Sequence, residues 1–183
     1  MKRSFRRGFS LIEVLMVISI AGILASIAIP AFSGFTRKTK VTERRIIVEA
    51  VRRDVYTTYS QTMRWPWGDG PGATNWNPPL PTNGVYAREK WVKADPTWGP
   101  IAFTVDQPVY CHYLVHSGTP DYVMYIDVKC DLDSDGDECT YSEGFNLKEG
   151  RPLNCGPGSP ADPECAQHVP ISGTTFGDND CSY

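Results

Sequence analysis

Residues 9–29 read FSLIEVLMVISIAGILASIAI, a run of 21 residues from Phe9 to Ile29 whose single ionisable side chain is Glu13. As a helix the run spans about 31 Å at 1.5 Å per residue, enough to cross the hydrocarbon core of a bilayer. Twelve of its residues are Phe, Leu, Ile or Val. At roughly −0.5 kcal/mol each, they outweigh one acid costing at most about 3 kcal/mol. Residues 1–8 place Lys2, Arg3, Arg6 and Arg7 just before the run, with no acid among them. The positive-inside rule keeps those cations cytoplasmic and sends the rest of the chain outward, into the periplasm.

A secretory signal peptide also has a basic start and an apolar core. Here the apolar stretch is longer than an ordinary signal core and holds a carboxylate. Pro30 then leads into further helical pattern instead of a clean small-residue cleavage site. The rest of the chain has a different character. Over all 183 residues the hydrophobic share is 41%, the charged share 21% and the formal charge −3. Mean hydropathy is −0.31, which excludes a polytopic membrane protein. The length excludes a large multidomain enzyme.

Gly8-Phe9-Ser10-Leu11-Ile12-Glu13-Val14-Leu15, continued through Gly22, Ile23, Leu24, Ala25 and Pro30, resembles the prepilin signature of type IV pilins and type II secretion pseudopilins. With the helix that follows, the resemblance covers about fifty residues. It implies a leader, residues 1–8, that a prepilin peptidase removes between Gly8 and Phe9, and methylation of the new Phe9 amine. It implies an inner-membrane precursor with a periplasmic head, held in the lipid bilayer until an assembly platform extracts it into a helical filament of pilin subunits. The product is a cell-surface pilus, or a periplasmic filament for a pseudopilin. Glu13, Gly22 and Pro30 are the expected assembly residues. A carboxylate in lipid is costly unless paired, and the cationic Phe9 amine of a neighbouring subunit is a fitting partner for Glu13.

Residues 9–30 are thus expected to form the transmembrane half of one helix of about 55 residues, and residues 31–64 its amphipathic half. Ile47, Val51, Val55, Thr58 and Thr62, with Ile46, Ala50 and Tyr59 beside them, form the expected apolar face. Lys40, Arg44, Arg45, Arg52 and Arg53 are expected on the opposite side. Eight cations and three acids over 35–64 give 8 − 3 = +5. Pro30 removes a donor to the Ser26 carbonyl, which predicts a kink there and makes 22–30 the weakest part of the helix.

The head, residues 65–183, opens with a proline-rich stretch to residue 100 that holds all five tryptophans. It is expected to be a packed connection, with a carbohydrate-binding platform as the alternative. Strand patterns at 101–105, 109–115 and 122–128, and a weaker one at 139–147, predict an antiparallel meander of three or four strands against the amphipathic helix. The expected fold is α+β, pilin-like, with a disulfide-bounded C-terminal region.

Asp131, Asp133, Asp135, Asp137 and Glu138 crowd oxygens around Gly136, an arrangement that suits Ca²⁺; a solvated acidic turn is the alternative. No other cofactor is called for. Six cysteines, Cys111, Cys130, Cys139, Cys155, Cys165 and Cys181, follow the membrane run and are disulfide candidates in an oxidising compartment. Cys130 and Cys139 bracket the acidic stretch and are placed to close it. His112, His116 and His168 lack a catalytic motif, so an enzyme is the weakest class. An acidic head, −11 over 65–183, disfavours nucleic acid as a partner. The expected function is a structural subunit of a type IV pilus, major or minor. The alternatives are a secretion pseudopilin and a tip pilin acting in adhesion or DNA uptake.

Overall fold

A computed structural model describes residues 9–118, 122–132 and 139–153. The chain divides into two units at Lys38 and Thr39, taken in turn below. One helix, α1 (Leu11–Thr62, 52 residues), contributes to both.

In the first unit the apolar side chains of α1 are bare: Leu11 is 79% exposed, Ile20 60% and Ile29 69%. The hydroxyls in this segment are nonetheless satisfied. Ser19 Oγ donates to the Leu15 carbonyl (2.8 Å), Ser26 Oγ to Ile23 (2.7 Å) and Ser33 Oγ to Pro30 (2.9 Å). Such back-bonding leaves no polar side-chain donor open to lipid. The helix runs through Gly22 and Pro30 without interruption, so the expected weak point is not a break. Proline removes one bond from a ladder that neighbouring turns continue to hold.

In the second unit, α1 buries Lys40, Val41, Arg44, Ile47, Val48, Val51 and Val55, spaced three and four apart as one helical stripe. Two expectations are corrected here. Lys40 and Arg44 lie on the buried stripe, not opposite it, and Ile46 is 63% exposed. Arg44 stacks on the Tyr141 ring at 4.4 Å and Arg52 lies over Phe145 at 5.2 Å. Long cationic side chains bury their stems against apolar surface and rest their heads on aromatic faces. The helix ends at Met63, whose φ is +51° and whose N–H donates to the Tyr59 carbonyl.

The sheet is an antiparallel meander, β1 (Cys111–Ser117), β2 (Val123–Cys130), β3 (Cys139–Asn146) and β4 (Arg151–Pro152), in that spatial order. Alternation sends Tyr113, Val115, Met124, Ile126, Val128 and Phe145 to one face, which joins the helix stripe in a single core. Val51, Val55, Tyr113, Val115, Ile126 and Val128 are fully buried there, and each aliphatic one contributes about 1.5–3 kcal/mol of burial. Gly150, at φ +67°, supplies the left-handed residue that turns β3 into β4.

The strand expected at 101–105 does not form. Its residues alternate as a strand's would, with Ile101 buried and Phe103 half-buried, but Pro100 and Pro108 flank it and β1's outer edge is already taken. Ala73 N–H donates to the Val115 carbonyl (2.8 Å), Asn77 and Tyr113 exchange two backbone bonds, and Glu89 pairs with Val109. Gly72 permits this approach: at φ +112°, a Cβ there would sit 2.3 Å from the Val115 carbonyl oxygen. The proline-rich connection therefore covers the edge of the sheet.

Candidate assembly surface

At the start of α1, Ser10 and Glu13 cap the helix reciprocally. Ser10 N–H donates to Glu13 Oε2 (2.9 Å), Ser10 Oγ donates to the same oxygen (3.0 Å), and Glu13 N–H donates to Ser10 Oγ (3.3 Å). Two N–H groups that a helix start leaves open are satisfied by one pair of side chains. Both of these carboxylate contacts fall on Oε2, and the other oxygen takes no part in the box. Phe9 is 89% exposed beside it. Gly8 lies outside the described residues. At Gly22 a Cβ would meet nothing within 4 Å, so that face of the helix is open to a partner. Ser10 was not among the expected assembly residues, although Ser-x-x-Glu ahead of an apolar run is the capping-box signature.

On the head, Thr39, Thr42, Ile46, Val105 and Pro108 line a shallow groove of about 320 Å³, flanked by the Arg88–Glu43 ion pair at 3.7 Å. Glu43 also accepts the Tyr110 N–H at 2.9 Å. Ile46 is a large exposed apolar residue at this groove.

The acidic stretch is described only at its start. Asp131 is 6% and Leu132 3% exposed, and Lys40 Nζ donates to the Leu132 carbonyl at 2.8 Å, tying the exit of β2 to the helix. Asp133, Asp135, Asp137 and Glu138 lie outside the described residues. Among the described residues no group of three or more His, Cys, Asp or Glu side chains converges on one point.

Cys111 and Cys130 form a disulfide between directly opposed positions of β1 and β2, Cα to Cα 4.5 Å. Cys139 is also disulfide-bonded. The expectation that Cys130 and Cys139 close the acidic stretch is thus corrected, because β2 presents Cys130 to a bonded partner on β1. Cys155, Cys165 and Cys181 lie outside the described residues.

The aromatic stretch is a packed connection. Trp65, Trp91 and Trp98 are buried. The indole N–H groups of Trp65, Trp67 and Trp98 donate to the Gly70, Thr97 and Asn75 carbonyls. Trp91 meets Trp98 and Phe103 edge-on at 4.9 and 5.0 Å. The histidines on β1 are structural as well. His112 Nδ1 bonds the Pro78 carbonyl at 2.9 Å, and His116 Nε2 bonds Asp127 Oδ2 at 2.8 Å. His168 lies outside the described residues.

Burial shifts three groups between helix and sheet. Desolvation pulls the Arg44 guanidinium below its ordinary pKa. Burial pushes the Tyr113 phenol up, helped by the charge of Glu43. Burial also raises Tyr141, helped by the hydrogen bond that its hydroxyl donates to Glu143.

Residues 3–29 match the family described as Prokaryotic N-terminal methylation motif. The chain is 34% identical over 90 residues to the Type IV major pilin protein PilE1 of Neisseria gonorrhoeae, covering 49% of this chain and 54% of that one. It is 36% identical over 63 residues to the Fimbrial protein of Neisseria meningitidis serogroup B, covering 34% and 37%. Against the Fimbrial protein EcpC of Eikenella corrodens it is 32% identical over 108 residues, covering 57% and 66%. The aligned part of the chain thus spans between about a third and two thirds of these relatives' length. No solved structure matches. With the methylation motif on the exposed apolar start of α1, and with the outer half of that helix laid on an antiparallel meander, the chain is similar to type IV pilins and fimbrial proteins over the matched residues.

Proposed function

We propose that the chain is a structural subunit of a type IV pilus, made as a membrane-anchored precursor and polymerised through α1. One observation carries the reading: the matched motif coincides with a helix segment whose large apolar side chains are exposed among the described residues. A bilayer and then a bundle of like helices are the two environments that satisfy such a surface. Cleavage after Gly8 frees the Phe9 amine. In the filament that amine pairs with the Glu13 carboxylate of a neighbour, through the oxygen the capping box leaves over, so neither charge is buried alone. Gly22 lets neighbouring helices approach closely, and Ile46 with its groove is a contact on the head.

The acidic stretch from Asp131 to Glu138 is part of the same proposal as a calcium loop, its base fastened by Lys40. Titration calorimetry of the detergent-solubilised chain with Ca²⁺ tests it; no heat and no shift in melting would discard the calcium loop. The relatives named above are a type IV major pilin and two fimbrial proteins, which favours a surface pilus over a secretion filament. Deleting the gene decides between the two. Loss of surface filaments with secretion intact is expected, whereas loss of secretion with pili intact would overturn the pilus reading. With filaments as the readout, Ile46→Asp is expected to reduce assembly several-fold while the head's melting temperature stays put.

A further inference from the structure

Three cysteines stand in one row across three adjacent strands. Cys130 on β2 lies opposite Cys111 on β1 and opposite Cys139 on β3. Directly opposed residues point to the same face of a sheet. The Cys111–Cys130 spacing of 4.5 Å is that of an antiparallel pair without mutual backbone bonds. A residue in a central strand turns its N–H and C=O to one neighbour only. Cys130 and Cys139 therefore form the hydrogen-bonded kind of pair, about 5.5 Å apart, inside the reach of a disulfide, about 4.4 to 6.8 Å between Cα atoms. All three are buried, at 1%, 0% and 5% exposure, so the row is shielded from bulk thiols until a neighbouring bond opens.

We infer that Cys130 is a shared sulfur, which passes its bond from Cys111 to Cys139 once the disulfide of Cys139 is reduced. A dithiol first reduces that disulfide and is itself oxidised to a disulfide. The Cys139 thiolate then attacks Cys130 Sγ, the Cys139–Cys130 bond forms, and the Cys130–Cys111 bond breaks. Cys111 departs as a thiolate and takes a proton from solvent. This second step exchanges one disulfide for another and consumes no oxidant. Chain entropy does not forbid it. The loop closed by Cys111–Cys130 has a sequence separation of 19 and that closed by Cys130–Cys139 has 139 − 130 = 9, a difference that enters only logarithmically. The consequence is a moved staple. The covalent link leaves β1 and β2 and instead joins β2 to β3.

The test uses the full chain in detergent micelles without denaturant. It is exposed to graded dithiothreitol, quenched in acid, alkylated, and cut before aspartate, which separates Cys130 from Cys139. Mass spectrometry is expected to find the Cys130–Cys139 linked peptide, with Cys111 alkylated, in at least a tenth of the chains at intermediate dithiol. Cys139→Ser is expected to abolish that species and to retain Cys111–Cys130. The wild-type series stands by itself if the variant does not fold. A Cys111–Cys130 bond that opens directly to two alkylated thiols at every dithiol concentration would overturn the inference. So would a Cys130–Cys139 peptide seen only in denaturant.

Discussion

Ser10 and Glu13 divide the work of one carboxylate. Glu13 Oε2 closes the first turn onto Ser10, which leaves its other oxygen for a neighbour's amine in the proposed filament. Ser10→Ala is expected to weaken the helix start by ~1 kcal/mol and Ser10→Thr to retain most of it. Amide exchange at residues 13 and 14 in micelles reads this directly, and equal protection in both variants would remove the cap from the account. In the head, Val51 is fully buried against the sheet. Val51→Ala is expected to cost about 2 kcal/mol, followed by tryptophan fluorescence in urea.

Sequence reasoning at this scale succeeded where a residue's chemistry has one good environment, as for the valines of the stripe. It failed where a side chain has two. Lys40 and Arg44 are cations, and composition assigns them to solvent. Their placement on the buried stripe depends on the Leu132 carbonyl and the Tyr141 ring, partners about ninety residues away that no local pattern reveals.

Among the elements, α1 was legible nearly to its ends, because a long apolar run and then a period of three and four leave no competing form. Its C-terminus is marked by Met63 rather than by a glycine. A left-handed φ costs an L-residue roughly 1 kcal/mol, so Met63→Gly is expected to stabilise the head by about that amount in thermal unfolding. An unchanged or lower midpoint would contradict the strain argument.

Three strands of the meander, β1 to β3, were also legible from alternation, whereas the two-residue β4 was not expected. The segment 101–105 misled for the same reason, since it alternates in burial while pairing with no strand among the described residues. What decides between strand and covered loop is possession of the sheet edge. The connection from Pro71 to Asn77 takes that edge, and Asn77 then fixes it to Val92 through two side-chain bonds of 3.0 and 2.8 Å. Truncating Asn77 to alanine is expected to remove both bonds, at about 0.5–1.5 kcal/mol each.

For the whole molecule, the helix–sheet interface predicts an alkaline limit to stability. Tyr113 and Tyr141 both ionise well above the ordinary 10.0 of a phenol in the folded head. Folded-state pKa values above the unfolded value mean that the native state holds its protons longer. Their contribution is therefore whole below pH 10 and is lost as pH rises beyond it. Absorbance at the tyrosinate band is expected to show these two residues ionising only as the head unfolds; smooth titration of every tyrosine near pH 10, with the fold intact, would contradict their burial.

The apolar start of α1 was legible because its physics is local: a basic start, an apolar span and one acid within it. The head's finer chemistry depends on which strands become neighbours, as the bonding of Cys130 to Cys111 shows. The central claim is that this chain is cut after Gly8 and built into a filament through its exposed helix. Mass spectrometry of the chain recovered from sheared surface filaments tests it most directly. The expected result is a mature N-terminus of N-methylated Phe9 with residues 1–8 absent. An intact leader, an unmethylated start, or absence of the chain from the filaments would contradict it.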